Sequence, residues 1–488
     1  MALTIPVAEI VKKTKNALLG KHKSWERVLL GKIATVLNGY AFKSAKFTRD
    51  KGFPLIRIRD VGKGSTATNY EGEYDKKYIV EKGDLLIGMD GDFHSGRWHG
   101  SKGLLNQRVC KIILETEDFS ISFLEYLLPG YLKAINNVTS SVTVKHLSSQ
   151  SIKEIPLPLP PINEQKRIVA EIEKQFSRLD EAVENLKRVK ANLKRYKASV
   201  LKAAVEGKLT EEWRKKHPDV EPADKLLERI LAERRKNWEE TELAKMKAKG
   251  KVPKDSKWKK KYKETNSQRP EGLHELPGTW CWCNVEQLAS QNQYSVSSGP
   301  FGSNLGTKDY VESGIPVLRG KNIQDGRILF NDFVYVTEEK AEEIKRSIAY
   351  PGDVVIIAVG SSGRPGIIPN ELDRVILSQN CNKVTCDISL LLPELLNLCL
   401  QTNFVQDQIS GKTTDTVRKF FSLTNFKQIF VPVPPIEEQG SILEIIDEQI
   451  SNINMLESQV DVNLKCSEGL RQSILKKAFS GKLIKTID

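Results

Sequence analysis

The sequence predicts an α+β protein: two globular domains of short strands joined by two long antiparallel, coiled-coil-like helices, with a pseudo-two-fold internal repeat. Three observations carry this expectation. First, Pro158–Leu209 aligns with Pro432–Leu483 without a gap, 52 positions at a constant offset of 274, of which 17 are identical. That period is far longer than any solenoid unit, so it marks duplicated domains. Second, each copy opens on Pro-x-Pro-Pro-Ile-x-Glu-Gln and continues with an apolar seam at helical spacing. Third, the segment before each copy breaks into short apolar runs punctuated by Gly, Pro and Asp, the mark of strands.

The bulk numbers fit this architecture. The chain has 488 residues, 39% hydrophobic and 28% charged, which describes a soluble globular protein with room for two to four domains. Apolar runs such as Val354–Val359 are strand-length and too short to cross a bilayer, so no membrane association is expected. The start lacks the ordered regions of a secretory signal. Seven scattered cysteines point to reduced thiols in the cytoplasm. Cys281-Trp282-Cys283 and the Cys381/Cys386 pair lack a second ligand pair at zinc spacing, so no metal site is expected. The net charge of +13 is clustered: Ala244–Lys263 holds ten lysines and one aspartate, and Lys187–Lys208 holds eight Lys/Arg and one acid. The plain reading is a solvated helix face plus a disordered linker. The functional one is phosphate contact, which weakens steeply with salt.

Taken in order, residues 1–23 form an N-terminal helical segment and 24–160 the first globular domain. Strand-like runs there are Phe53–Ile58, Asp84–Ile87 and Arg108–Leu114, followed by a helix over Ile121–Asn136. Residues 161–209 form the first long helix. Pro161 is tolerated at its start, Glu164 suits the first turn and Gly207 is a natural stop. Its seam runs through Ile172, Phe176, Leu179, Val183, Leu186, Leu193 and Val200, with Lys190 and Lys197 its polar members. Residues 210–268 form a basic spacer with no counterpart in the second copy, amphipathic over Asp224–Thr241 and then part flexible. Residues 269–434 repeat the first domain: Gly52-x-Pro54-Leu55-x-Arg57 matches Gly314-x-Pro316-Val317-x-Arg319, Gly83-Asp84 matches Gly352-Asp353, and Leu105-x-Gln107 matches Leu377-x-Gln379. The offset wanders here, so the scaffold repeats while the loops diverge. Residues 435–484 form the second long helix, offering Ile446, Ile450, Ile453, Val460, Leu464 and Ile474. A single rod of this kind cannot bury its stripe, so the two are expected to pair.

Enzyme signatures are missing. The Pro-Pro pairs are followed by no aromatic, as a DNA methyltransferase turn requires, and Gly411-Lys412-Thr413 lacks the upstream glycine of a phosphate loop. Pro218-Asp219 is not followed by a nuclease Asp/Glu-x-Lys, and the six histidines show no acid–base or metal pattern. The chain is expected to perform no chemistry itself.

These residues resemble the specificity subunit of type I restriction-modification systems. The likeness rests on Pro-x-Pro-Pro-Ile-x-Glu-Gln opening both helices and Ser-x-Leu-Lys-x-Ala-x-x-Gly-Lys-Leu closing them. Asn38–Ser44 and Gly299–Ser303 are similar to openings of target recognition domains, and Thr210–Arg214 to members with a long spacer. The resemblance implies two target recognition domains (24–160 and 269–434), each reading one half of a bipartite, asymmetric site in double-stranded DNA, with the helices fixing the unread gap. It implies two methyltransferase subunits that methylate adenine, and restriction/translocase subunits that cleave. No cofactor is expected in this chain; S-adenosylmethionine, and ATP with Mg, belong to the partners.

Base chemistry, with Arg and Lys for guanine, Asn and Gln for adenine and acids for cytosine, nominates DNA-contacting residues. In the first domain they are Arg57, Arg59, Asp60, Lys63, Asp92, His94, Arg97, Trp98, Lys145 and His146. In the second they are Arg319, Lys321, Asn322, Ser361, Ser362, Arg364, Thr413, Thr414, Arg418 and Lys419. The plainer reading of each is a solvated loop residue, and Arg57 and Arg319 could instead be structural ion-pair partners. Exact retention of Glu164/Glu438, Gln165/Gln439, Ser199/Ser473 and Lys202/Lys476 nominates partner-docking surfaces, although helix capping would also explain the first pair. The rival readings are a methylation-only or phage-defence assembly, a degenerate enzyme, and a helical scaffold that does not touch DNA.

Overall fold

The computed structural model describes residues 5–14, 17–139, 145–250, 253, 255–265, 272–412 and 420–484. The chain divides into two compact units, residues 1–188 with 460–488, and residues 189–459.

In the first unit a four-stranded antiparallel sheet runs in the order Ala34–Asn38, Val109–Leu114, Leu85–Gly88, His94–Arg97. A five-stranded sheet lies in the same unit, and within it Phe53–Ile56 pairs parallel with Gly103–Leu105. Glu26–Leu29 and Pro156–Leu159 pair to close the domain's ends together. The helix Ile121–Val138 packs onto the strand His94–Arg97, two residues longer than expected.

The second unit repeats the plan. Its antiparallel sheet orders Val296–Ser298, Cys381–Val384, Val354–Ile357, Pro365–Ile367. Ile315–Leu318 pairs parallel with Val375–Leu377, and Cys281–Asn284 pairs with Phe430–Val433. One physical device explains the repeated Gly-Asp motif. Gly83 and Gly352 turn at φ +97° and +83°, which favours glycine. Asp84 then accepts from the Glu81 backbone N–H at 2.7 Å, and Asp353 from Tyr350 at 2.9 Å. Each also pairs with a lysine on the neighbouring strand, Lys111 at 2.7 Å and Lys383 at 2.6 Å. The second pair is buried, so removal of either partner would leave an uncompensated charge inside.

Both long helices have 44 residues, Ile162–Val205 and Ile436–Phe479. They stop on the same motif. Gly207 and Gly481 take φ +72° and +70°. Lys208 N–H reaches back to Ala203 at 2.9 Å, and Lys482 N–H to Lys477 at 2.8 Å, which satisfies orphan carbonyls.

The helices pack against each other antiparallel, early residues of one meeting late residues of the other. In the first unit Ile172 and Leu179 share a core with Ile474, Ala478 and Phe479, and Asp180 pairs with Arg471. In the second, Leu201, Ala204 and Val205 share a core with Ile442 and Ile446. Each unit's core is thus completed by the end of the helix that follows the other repeat. The seam is tight at Ile172, Leu179 and Val200 and only half-buried at Val183, Leu186 and Leu193, while Lys190 is exposed.

The spacer differs from expectation. Its helix spans Ala223–Ala248, longer than the amphipathic stretch, and is anchored through Leu226, Ile230 and Arg234. Within the lysine-rich run, Lys257–Lys261 forms a 3₁₀ turn. Trp258 stacks on Trp238 at 6.1 Å and Tyr262 lies 5.3 Å from the same ring. Charge composition signals solvation, but three aromatics outweigh it locally. No helix among the described residues is long and apolar enough to cross a membrane.

Candidate nucleic-acid interface

In the first unit the loops after three strands converge at one end of the sheets. Asn106 N–H bonds the Ile56 carbonyl at 3.2 Å, and Met89 N–H bonds that of Arg108 at 2.9 Å. This joins the turns 57–63, 89–93 and 106–108. Arg57 is half-exposed and has no ion-pair partner among the described residues. Arg59 donates to Thr68 Oγ1 at 3.1 Å, and Lys63 is exposed. His94 holds loops together, its Nδ1 2.8 Å from the Asp92 carbonyl and its Nε2 3.1 Å from that of Ile58. Asp92 is exposed and accepts from Asn136 Nδ2 at 3.2 Å. Lys145 Nζ donates to the Asn136 carbonyl at 2.8 Å, and the His146 ring faces Asp90 at 2.5 Å.

Three residues nominated as readers of this domain make structural contacts, and two of them are buried. Asp60 is 4% exposed, and its carboxylate accepts from the Arg57 backbone N–H at 3.0 Å, closing the turn after the strand. Trp98 is 1% exposed and donates to the Ser101 carbonyl at 2.6 Å. Arg97 is fastened to the helix Ile121–Val138 through Glu125 at 2.7 Å and Ser122 at 2.7 Å.

The second unit shows the same division. Asn322 is fully buried and does what Asp60 does: its Oδ1 accepts from Arg319 N–H at 3.1 Å, and its Nδ2 donates to the Asn331 carbonyl at 2.7 Å. Asp60 and Asn322 are therefore turn-closing groups, which their buried positions dictate. Arg319 bonds the Asp332 carbonyl and has no ion-pair partner among the described residues, and Lys321 pairs with the Asp332 carboxylate at 3.2 Å. Ser361 and Arg364 are exposed and bonded to each other at 3.1 Å, with Ser362 half-buried beside them. Thr413, Thr414, Arg418 and Lys419 lie outside the described residues.

The helix residues nominated for docking separate into two kinds. Gln165 is fully buried: it accepts from Ser120 N–H at 2.8 Å and donates to the carbonyls of Asp118 and Pro160, both at 2.8 Å. Gln439 repeats this with Leu392 N–H, Leu390 and Pro434. Each clamps the start of its long helix to the segment that begins a domain helix, so neither offers a surface to a partner. Glu438 is fully buried beneath Trp280, Thr210 and Arg214, and Glu164 accepts from Trp25 Nε1 at 3.1 Å. Ser199, Lys202 and Lys476 are exposed and Ser473 is half-buried.

Sequence reasoning passed over the exposed aromatics Tyr40, Phe301 and Phe330. It also passed over Arg108, which sits against Asp90 at 3.3 Å. The first two aromatics lie in the duplicated domain-opening motifs, where exposure has no sequence signal. Among the described residues no cluster of three or more His, Cys, Asp or Glu could hold a metal.

The family model for the type I restriction modification DNA specificity domain matches residues 22–195 and 303–465. The chain belongs to that family. The EcoBI specificity subunit of Escherichia coli is 33% identical over 97% of this chain and 90% of its own length. The EcoKI specificity subunit of Escherichia coli strain K12 is 22% identical over 94% and 89%. Two solved structures share the fold at 16% identity. One, from work on complex assembly and conformational transition of the type I R-M system, has a TM-score of 0.59 and covers 95% of this chain and 99% of its own. The other, the HsdS subunit from Thermoanaerobacter tengcongensis, has a TM-score of 0.51 with coverage of 94% and 97%. This specificity protein is thus similar to its relatives across both repeats.

Proposed function

We propose that this chain is the non-catalytic DNA-reading subunit of a type I restriction-modification complex, each domain reading one half of a bipartite, asymmetric site. The observation that carries this is the pairing of one repeated backbone with different exposed side chains at its loop ends. Arg59 and Lys63 follow the strand of the first domain where Lys321 follows that of the second; Asp92 stands in the loop where Ser361 and Arg364 stand. Different donors and acceptors on one scaffold suit two different half-sites. The basic net charge of +13 supplies the sequence-independent attraction to phosphates.

On this reading the paired helices set the unread gap, and methyltransferase subunits seat on them before restriction subunits join. Support for seating comes from large apolar side chains left outward on these helices, among them Tyr196, Met455, Val462 and Leu470, 52% to 63% exposed. Ser199, Lys202, Ser473 and Lys476 flank such surfaces. Partner subunits would hold S-adenosylmethionine, and ATP with Mg, and flip the adenine they methylate. The test is the methylome of cells expressing this chain with the methyltransferase subunit of its own system. A new N6-methyladenine motif with two different halves around a fixed gap is expected. A stable complex that methylates nothing, or a motif with a single uninterrupted half, would overturn the assignment.

A further inference from the structure

A turn closed by the same backbone hydrogen bonds stands at the same place in both units and carries a different side chain at its third position in each. In the first unit it spans Asn106–Val109, in the second Ser378–Cys381. Val109 N–H bonds the Asn106 carbonyl at 3.2 Å, and Cys381 N–H that of Ser378 at 3.0 Å. Gly39 N–H bonds Val109 and Gly299 N–H bonds Cys381, both at 2.9 Å. The clamp is close: a Cβ on Gly39 would lie 2.0 Å from the Asn106 carbonyl oxygen, and one on Gly299 would lie 1.9 Å from that of Ser378. The Arg108 carbonyl accepts from Met89 N–H at 2.9 Å, and that of Asn380 from Ala358 N–H at 2.7 Å. Gln107 and Gln379 are the same residue, both exposed. The third position carries Arg108 at positive φ in one unit and Asn380, whose φ is not positive, in the other.

Arg108 holds φ +74°, a region costly for a residue with a Cβ, and such strain concentrates where function demands it. Its guanidinium is half-exposed, with Nε 3.3 Å from Asp90 Oδ2, while Asp90 Oδ1 faces His146. The Asp90 carboxylate at Nε and the His146 ring, its Nδ1 3.3 Å from Nη1, fix the fork's direction, and Nη2 has no partner among the described residues. The Asn380 side chain is half-exposed and has no bonded partner among the described residues. A positioned guanidinium matches the O6/N7 edge of guanine, and a free carboxamide matches the N6/N7 edge of adenine.

We propose that positions 108 and 380 are paired base-reading positions, Arg108 taking a guanine in one half-site and Asn380 an adenine in the other. The inference rests on the two-half reading above. The experiment compares methylomes and duplex binding for the complex carrying the wild-type chain, Arg108→Ala, Asn380→Ala and Arg108→Gly. Each alanine variant should relax one base pair in one half only, discrimination there falling about 5- to 150-fold, the worth of one bidentate contact. Arg108→Gly should lose the same base pair yet melt no lower than wild type, because glycine accepts the turn. Unchanged motifs in both alanine variants, or an equal loss of affinity for all sequences as a phosphate contact gives, would overturn the proposal while the wild-type bipartite motif stands. Absence of a bipartite motif with the wild-type chain would remove the underlying reading as well.

Discussion

Gln165 and Gln439 show how a retained residue serves two copies of a fold. Each lies at the start of a long helix and makes the same three bonds, one accepted and two donated, inside a site closed to water. Alanine at either position would leave a buried N–H and two carbonyls without partners. An unmet buried group is expensive, so Gln165→Ala is expected to lower stability by about 2 kcal/mol. Denaturant unfolding of the full chain checks this, and Gln439→Ala should cost a similar amount. A loss of methyltransferase binding with no change in unfolding midpoint would show the pair to be a docking surface after all. Asp60 and Asn322 make the same point, since their chemistry fits base recognition and only their burial shows them closing turns.

At the scale of elements, the spacer helix Ala223–Ala248 is tied down by a charge pair. Arg234 donates to the Gln287 carbonyl at 2.8 Å and to Asp387 at 2.9 Å. Burial alone would raise the Asp387 carboxyl, but hydrogen bonds from Ser389 and the Arg234 guanidinium outweigh it and hold the group below the usual carboxylate range. A depressed folded value contributes stability that is fully present above the unfolded value, about 3.9, and is lost as pH falls through the folded one. The protection factors of residues 223–248, exchange rates normalised to the intrinsic rate at each pH, are therefore expected to be equal at pH 6 and pH 8 and lower near pH 3. Arg234→Ala should show low protection factors at all three; protection factors that ignore pH in the wild-type chain would remove this pair as the anchor.

For the whole molecule, the proposed reading makes the length of the two helices the measure of the unread gap. Inserting one heptad into both long helices at matched register adds about 10 Å of rise. That is about three base pairs at the 3.4 Å spacing of a DNA strand. The expected outcome is a methylation motif whose halves are unchanged and whose unread gap is longer by about three. An active complex with an unchanged gap would mean that the helices do not set it.

The sequence by itself determined the duplication, the two long helices and their stops, and the family, because these rest on local spacing: proline and Glu-Gln at the starts, glycine at the ends, apolar residues along one face. It also marked the loops at the strand ends, since Gly, Pro and Asp end strands wherever they occur. It did not separate exposed side chains from structural supports within those loops. Asp60, Trp98, Gln165 and Asn322 are polar or amphipathic residues in polar stretches, and only the packing of distant strands and helices against them removes them from water. The same holds for the lysine run, where composition speaks for solvation and three aromatics brought together by the chain's return give it a fixed turn. Tertiary structure decided these cases because burial depends on which segments meet, and buried hydrogen-bond partners such as Thr210 and Glu438 lie 228 residues apart in the chain.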